Sequence, residues 1–313
     1  EDMQLSASTD LNNVGGSISA VNSLNASAGR DLNIQTTTRS NFTNVGANNF
    51  SRTTIDRVAG LYVSGANGTL VASAGRDLNI VAGVVSNTGT GATSLKAGNN
   101  LNLQALNTHV QENSVRDANN HFKYGTSEDV GSLITGGGNV NLSAGKDLNA
   151  KAADVQAKNA LIVNAGNNIK VEAGLATSNY DEAHKQTSKG FMSSSTVTTR
   201  ETRNSTTALA SNLGGRTVEI NAGNDIAIKG SNILSDNDLS MMAANNINIV
   251  AAQNTSQQSS FRQESKSGLM SSGGLSISYG KQMQSVDGKD TTTTAAASTV
   301  GSVGGNINIK AGG

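Results

Sequence analysis

The sequence predicts an all-β fold, a right-handed parallel β-helix (solenoid) from which Ser/Thr-rich hairpins or extra-sheet excursions depart. Three observations lead there: an Ala-Gly octamer recurs along the 313 residues, apolar residues alternate with polar ones on both sides of it, and the proline count is 0. Proline removes a backbone donor and is confined to edges and bulges of sheets, so its absence fits a backbone paired almost throughout. With aromatics at 3% and hydrophobic residues at 35%, a single large globular core is excluded, and small side chains must be buried repeatedly.

The octamer reads SAGRDLNI at 27–34 and 73–80, KAGNNLNL at 96–103, SAGKDLNA at 143–150, NAGNNIKV at 164–171, NAGNDIAI at 221–228 and MAANNINI at 242–249. A further unit begins at Lys310-Ala311-Gly312, so residues 1–313 are expected to be one repeat segment of a longer array. Before the Ala-Gly corner come alternating pairs such as Leu70/Ala72, Val140/Leu142 and Val218/Ile220. After it come Leu78/Ile80, Leu101/Leu103, Ile169/Val171, Ile226/Ile228 and Ile247/Ile249, which are the expected core. Period two marks half-buried strands. The corner glycine is expected to supply a positive φ. Successive marker alanines lie 46, 23, 47, 21, 57, 21 and 68 residues apart. The short steps are one winding, and without any helical pattern between strands a right-handed solenoid of about ten windings is the expectation.

The fourth marker position holds Asp31, Asp77, Asn100, Asp147, Asn168, Asp225 and Asn246, and each 21- or 23-residue step passes from Asp to Asn. Carboxylates stacked at the strand spacing would repel by about 1 kcal/mol in water. Asparagines instead stack as amide ladders, so these residues are expected to form a structural corner ladder with Asp77 and Asn100 in neighbouring windings.

The long steps contain excursions at about 35–58, 105–135, 174–214 and 251–301. HKQTSKGFMSSS and RQESKSGLMSS recur within two of them, giving a larger unit of two marker windings and one excursion. In the last, Leu275, Ile277 and Tyr279 alternate with small residues. This is read as a hairpin packed along the shaft or, alternatively, as a strand able to enter a bilayer.

Little else carries chemistry. Charges balance at 23 against 23, so no basic field exists for nucleic acid or anionic lipid. Cysteine is absent, and His109, His121 and His184 lack partners at metal-ligand spacing; no cofactor, structural metal or catalytic site is expected. Ser143-Ala144-Gly145-Lys146 matches S-x-x-K only because it is the repeat corner. Gly136-Gly137-Gly138 precedes a strand, where no helix follows to hold a phosphate.

AGRDLNI, AGNNLNL and the stretch SRTTIDRVAGLYVSG at 51–65 resemble the haemagglutinin repeats of filamentous haemagglutinin-like exoproteins. SKGFMSSS and SKSGLMSS are similar to the second repeat type, found in the FHA-2 region of contact-dependent growth-inhibition proteins (CdiA). The resemblance implies a cell-surface exoprotein of a Gram-negative bacterium, exported through an outer-membrane two-partner secretion transporter. It also implies a C-terminal toxin domain in the same chain and a role in moving that toxin across the target cell's outer membrane. A passive shaft or adhesin displaying binding surfaces is the competing function class.

Overall fold

A computed structural model describes residues 1–271 and 277–312. Among them the chain forms 33 strands and no helix. Three sheets are wholly parallel, with nine, eight and eight strands stacked in chain order; we call them A, B and C. The chain visits them in rotation. One uninterrupted winding runs through Thr69–Ala74 in A, Leu78–Val81 in B and Val84–Asn87 in C, then returns to A at Thr93–Ala97. Register places like on like: Leu78 pairs with Leu101 and Ile80 with Leu103. This is a parallel β-solenoid, with inward residues of the three sheets forming one continuous column of Leu, Ile, Val and Ala.

Eight of the ten expected core residues, from Leu78 to Ile228, are 0–1% exposed. Ile247 is half-buried and Ile249 is 40% exposed. Both lie in Ile247–Val250, the last strand of sheet B, which has a neighbour on one side only. The corner glycines also differ from expectation, because positive φ occurs at Gly15, Gly46, Gly230 and Gly268 and at none of them. Their reason is close approach. A Cβ on Gly75 would lie 2.2 Å from the Gly29 carbonyl oxygen, and on Gly98 2.1 Å from that of Gly75. The turns stack so tightly that no side chain fits between them.

The remaining eight strands form an antiparallel sheet made of four hairpins. Their arms are Thr37–Val45 with Asn48–Arg57, Leu106–Asp117 with Asn120–Val130, Gly174–Gly190 with Ser193–Leu209, and Ala252–Ser271 with Ile277–Ala296. Each interrupts the chain between a B strand and the following C strand, always on every second winding. At the intervening B-to-C corners the chain turns through one left-handed residue: Gly15 (φ 62), Ala82 (φ 46), Ala152 (φ 51) and Gly230 (φ 58). A hairpin is two strands wide, about 9.6 Å, and two windings rise by the same amount. Hairpins on alternate windings therefore tile without gap or overlap into a fin running along the shaft. Their residues add no windings, which is why sheet A has nine rungs rather than about ten.

Side-chain hydroxyls close the corner where the hairpins leave. Thr36 Oγ1 donates to the Ala82 carbonyl at 2.6 Å, Ser132 Oγ to Ile80 at 2.9 Å, Ser211 Oγ to Glu172 at 2.6 Å and Ser298 Oγ to Val250 at 2.6 Å. Thr36, Ser132 and Ser211 are buried, and each buried hydroxyl is satisfied by a backbone carbonyl at this corner.

Candidate functional site

Two features could carry function, the stacked corner and the fin. At the corner, Asp31, Asp77, Asn100, Asp147, Asn168, Asp225 and Asn246 lie in successive windings, preceded by Asp10. Each side-chain Oδ1 accepts the backbone N–H of the equivalent residue above: Asn100 to Asp77 at 3.0 Å, Asn168 to Asp147 at 3.1 Å, Asn246 to Asp225 at 2.9 Å. Asp and Asn offer the same acceptor, so the ladder is side chain to backbone and not amide to amide. Three carboxylates do stack consecutively, at Asp10, Asp31 and Asp77, contrary to the repulsion argument. The third marker position resolves the conflict, since Arg30 clamps Asp10 and Arg76 clamps Asp31. Where the third position is asparagine it donates instead, as Asn99 does to Asp77 at 2.9 Å.

The amide ladder runs two residues further on. Asn33 donates to Asn12, Asn79 to Asn33, Asn102 to Asn79 and Asn149 to Asn102 at 2.7–3.0 Å. The recurring Leu-Asn of DLNI and NLNL was its signal. These side chains hydrogen-bond from one winding to the next along this edge of the shaft.

The Arg30 guanidinium holds the Asp10 carboxyl at about 2, and Arg76 likewise lowers Asp31. A carboxylate depressed in the folded state contributes stability above its unfolded value near 4 and loses it as pH falls through the folded value. Carbon-detected NMR titration is therefore expected to give Asp10 a midpoint near 2. In Arg30→Gln that midpoint returns to about 4, and the first windings fray below it; an unmoved midpoint would refute the clamp.

The fin is a single layer, polar on both faces. Register assigns the faces. Phe122, Tyr180, Glu182, Glu201 and Arg203 share one, where Phe122 and Tyr180 meet edge-to-face at 5.7 Å and Arg203 lies over Tyr180. The Tyr180 hydroxyl and His184 both bond Glu182 and lower its carboxyl. The other face carries Ser127 bonded to Thr177 at 2.8 Å and Thr202 to Ser259 at 2.6 Å. Here His121, buried within the sheet, lies 3.2 Å from Asp181, which Arg200 also contacts. Burial raises the Asp181 carboxyl, and these two partners outweigh it, so the net shift is downward. At the base, Asp129 joins fin to shaft: it accepts from Lys151 at 2.8 Å and from the Leu175 backbone N–H at 3.1 Å.

Of the expected membrane strand, Leu275 lies outside the described residues. Ile277 opens the last arm and Tyr279 follows, paired with Leu269 near the tip of the longest hairpin. Tyr279 is 73% exposed, and at the neighbouring tip Phe191 is 95% exposed. Met192 and Leu269 are exposed as well. The isolated alternation pointed to one strand; the tip apolar residues of two hairpins come together only because the fin stacks them. Among the described residues no cluster of three His, Asp or Glu is placed to hold a metal.

The family model of the hemagglutinin repeat matches residues 117–201 and 192–313, more than half of the chain. The chain is 31% identical over 155 residues to the tRNA nuclease CdiA of Escherichia coli (strain STEC_O31). It is 34% identical over 129 residues to the 16S rRNA endonuclease CdiA of Enterobacter cloacae, and 32% over 144 residues to the tRNA nuclease CdiA-2 of Burkholderia pseudomallei (strain 1026b). These matches cover 46%, 41% and 45% of this chain but 5%, 4% and 5% of those proteins. No solved structure matches. The octamer, the solenoid and these matches agree: the chain belongs to the hemagglutinin-repeat family, with repeats of the kind that CdiA proteins carry.

Proposed function

We propose that this chain is a non-enzymatic extracellular segment of a two-partner-secreted exoprotein and that its fin contacts the target cell's outer membrane during delivery of a toxin carried C-terminally in the same polypeptide. The partners on this reading are an outer-membrane secretion transporter, the target outer membrane or its proteins, and the toxin; nucleic acid is not among them. Localisation is the surface of a Gram-negative cell, with insertion into the target membrane as the working state. The nuclease activities named for the relatives belong to proteins of which this chain spans 4–5%.

One observation carries the reading. Phe191, Met192, Leu269 and Tyr279 crowd the distal edge of the fin as exposed apolar side chains, with Lys189, Lys266 and Lys281 beside them in register. Exposed aromatic and apolar groups flanked by lysine, whose stems lie along apolar surface while the ammonium stays in water, suit a lipid–water interface. A passive shaft would have no use for them there.

The test replaces Ala252–Ala296 by the two-residue corner Ala152-Ala153 already used by a winding without a hairpin. Flotation with vesicles of outer-membrane lipid is expected to recover the intact chain and at least tenfold less of the variant. Equal recovery, or no recovery of either, rejects membrane contact by the fin and leaves the adhesin shaft.

A further inference from the structure

The balanced total of 23 cations and 23 carboxylates conceals a separation along the fin. The distal parts of the third and fourth hairpins, residues 185–199 and 262–286, carry five cations, Lys185, Lys189, Arg262, Lys266 and Lys281, and one carboxylate, Glu264. Subtracting these from 23 and 23 leaves 18 cations against 22 carboxylates for the rest of the chain. The expectation of no basic field therefore holds for the chain as a whole and fails at the fin tip, because charge asymmetry within a neutral chain still creates local fields.

Register orders the tip groups by depth. On the face that carries His121, Leu269 pairs with Tyr279. Two residues nearer the shaft, one rank crosses four strands as Lys189, Ser194, Ser267 and Lys281. Lys185 stands in the rank four residues further in, and none of these ranks holds a carboxylate. Lys185, Lys189 and Lys281 are exposed. On the opposite face Lys266 is already bonded to Glu264 at 2.9 Å.

The spacing selects the ligand. Two residues of strand span about 7 Å, and interfacial segments sink their apolar groups about 5–10 Å into the boundary between headgroups and acyl chains. With Leu269 and Tyr279 at that boundary, Lys189 and Lys281 stand level with the headgroup phosphates. A soluble polyanion fits the same surface poorly, since the apolar rank would stay in water. We propose that the fin tip enters a bilayer edge-on and binds lipid headgroups of net negative charge through Lys189 and Lys281. This rests on the membrane contact proposed above and adds the headgroup class and the depth. Ranks run across the strands and so along the shaft, which therefore lies parallel to the bilayer surface.

Flotation of the full chain is compared on vesicles of phosphatidylcholine alone and of phosphatidylcholine mixed with phosphatidylglycerol. The mixed vesicles are expected to bind it at least about tenfold more tightly. The difference should vanish in molar salt, where charges are screened within about 3 Å. The pair Lys189→Gln with Lys281→Gln is expected to lose that preference at an unchanged melting temperature. Arg39→Gln with Arg52→Gln removes the same charge from exposed positions of the first hairpin and should keep it. Equal binding of the parent to both vesicles, or a lysine pair that floats like the parent, overturns the headgroup assignment and leaves membrane contact standing. Equal loss in both pairs overturns it too, since total charge rather than the lysine rank would then decide. Flotation with neither composition refutes the membrane contact itself, and this assignment with it.

Discussion

Ile228→Asp is expected to abolish the single cooperative melting transition of the shaft. Ile228 is 0% exposed and stacks between Val171 and Ile249 in sheet B. An ionised carboxylate there has no partner, because the column around it is Leu, Ile, Val and Ala. Desolvating it, together with the lost isoleucine packing, costs at least about 4 kcal/mol. In a stacked repeat each winding is held only by its neighbours, so the damage is not diluted over a large core. The defect should divide the array, leaving the windings before it to melt separately from those after it. Ile228→Val, losing about 1 kcal/mol, is the control for packing alone. Calorimetry combined with amide exchange distinguishes the outcomes. One sharp transition in Ile228→Asp within a few degrees of the parent would mean that this position does not face a dry interior.

The shaft was legible because its rule is simple. Period-two alternation around the octamer names the buried residues, and Leu78 over Leu101 follows from aligning identical letters. The corner chemistry was only half legible. Sequence shows that Asp and Asn interchange at one position, but the cause is the backbone N–H of the next winding, which no sequence displays. That same blindness hid the Asp10, Asp31 and Asp77 stack, whose compensation comes from Arg30 and Arg76 one residue earlier. The turns that alternate with hairpins were invisible, since Ala82 and Ala152 are not residues from which a left-handed corner is read. The fin resisted for a different reason: with serine, threonine and amides on both faces, its strands have no apolar side to betray their register or the sheet they join.

The tiling of the fin makes a second strong expectation. Replacing the third hairpin, Gly174–Leu209, by a two-residue corner leaves the number of windings unchanged and should leave the shaft's melting nearly as it was. The fin, however, must break. The second and fourth hairpins would then sit four windings apart, with a vacant width of about 10 Å between them, far beyond hydrogen-bond reach. The arm Asn120–Val130 loses its ladder to Gly174–Gly190, and Ala252–Ser271 loses pairing that now runs from Thr206/Thr255 to Ser193/Gly268. What remains of the fourth hairpin is a lone two-stranded ribbon with 20-residue arms, polar on both sides. Such ribbons are marginal in water even when they have an apolar face. Amides of Ala252–Ser271 are therefore expected to lose exchange protection by at least about a hundredfold, which corresponds to about 2.7 kcal/mol of local stability, while those of Ile226–Lys229 in the shaft keep theirs. Protection retained in Ala252–Ser271 would show that the hairpin stands by itself. Matched strand width and winding rise would then be coincidence rather than the reason that hairpins occupy alternate windings.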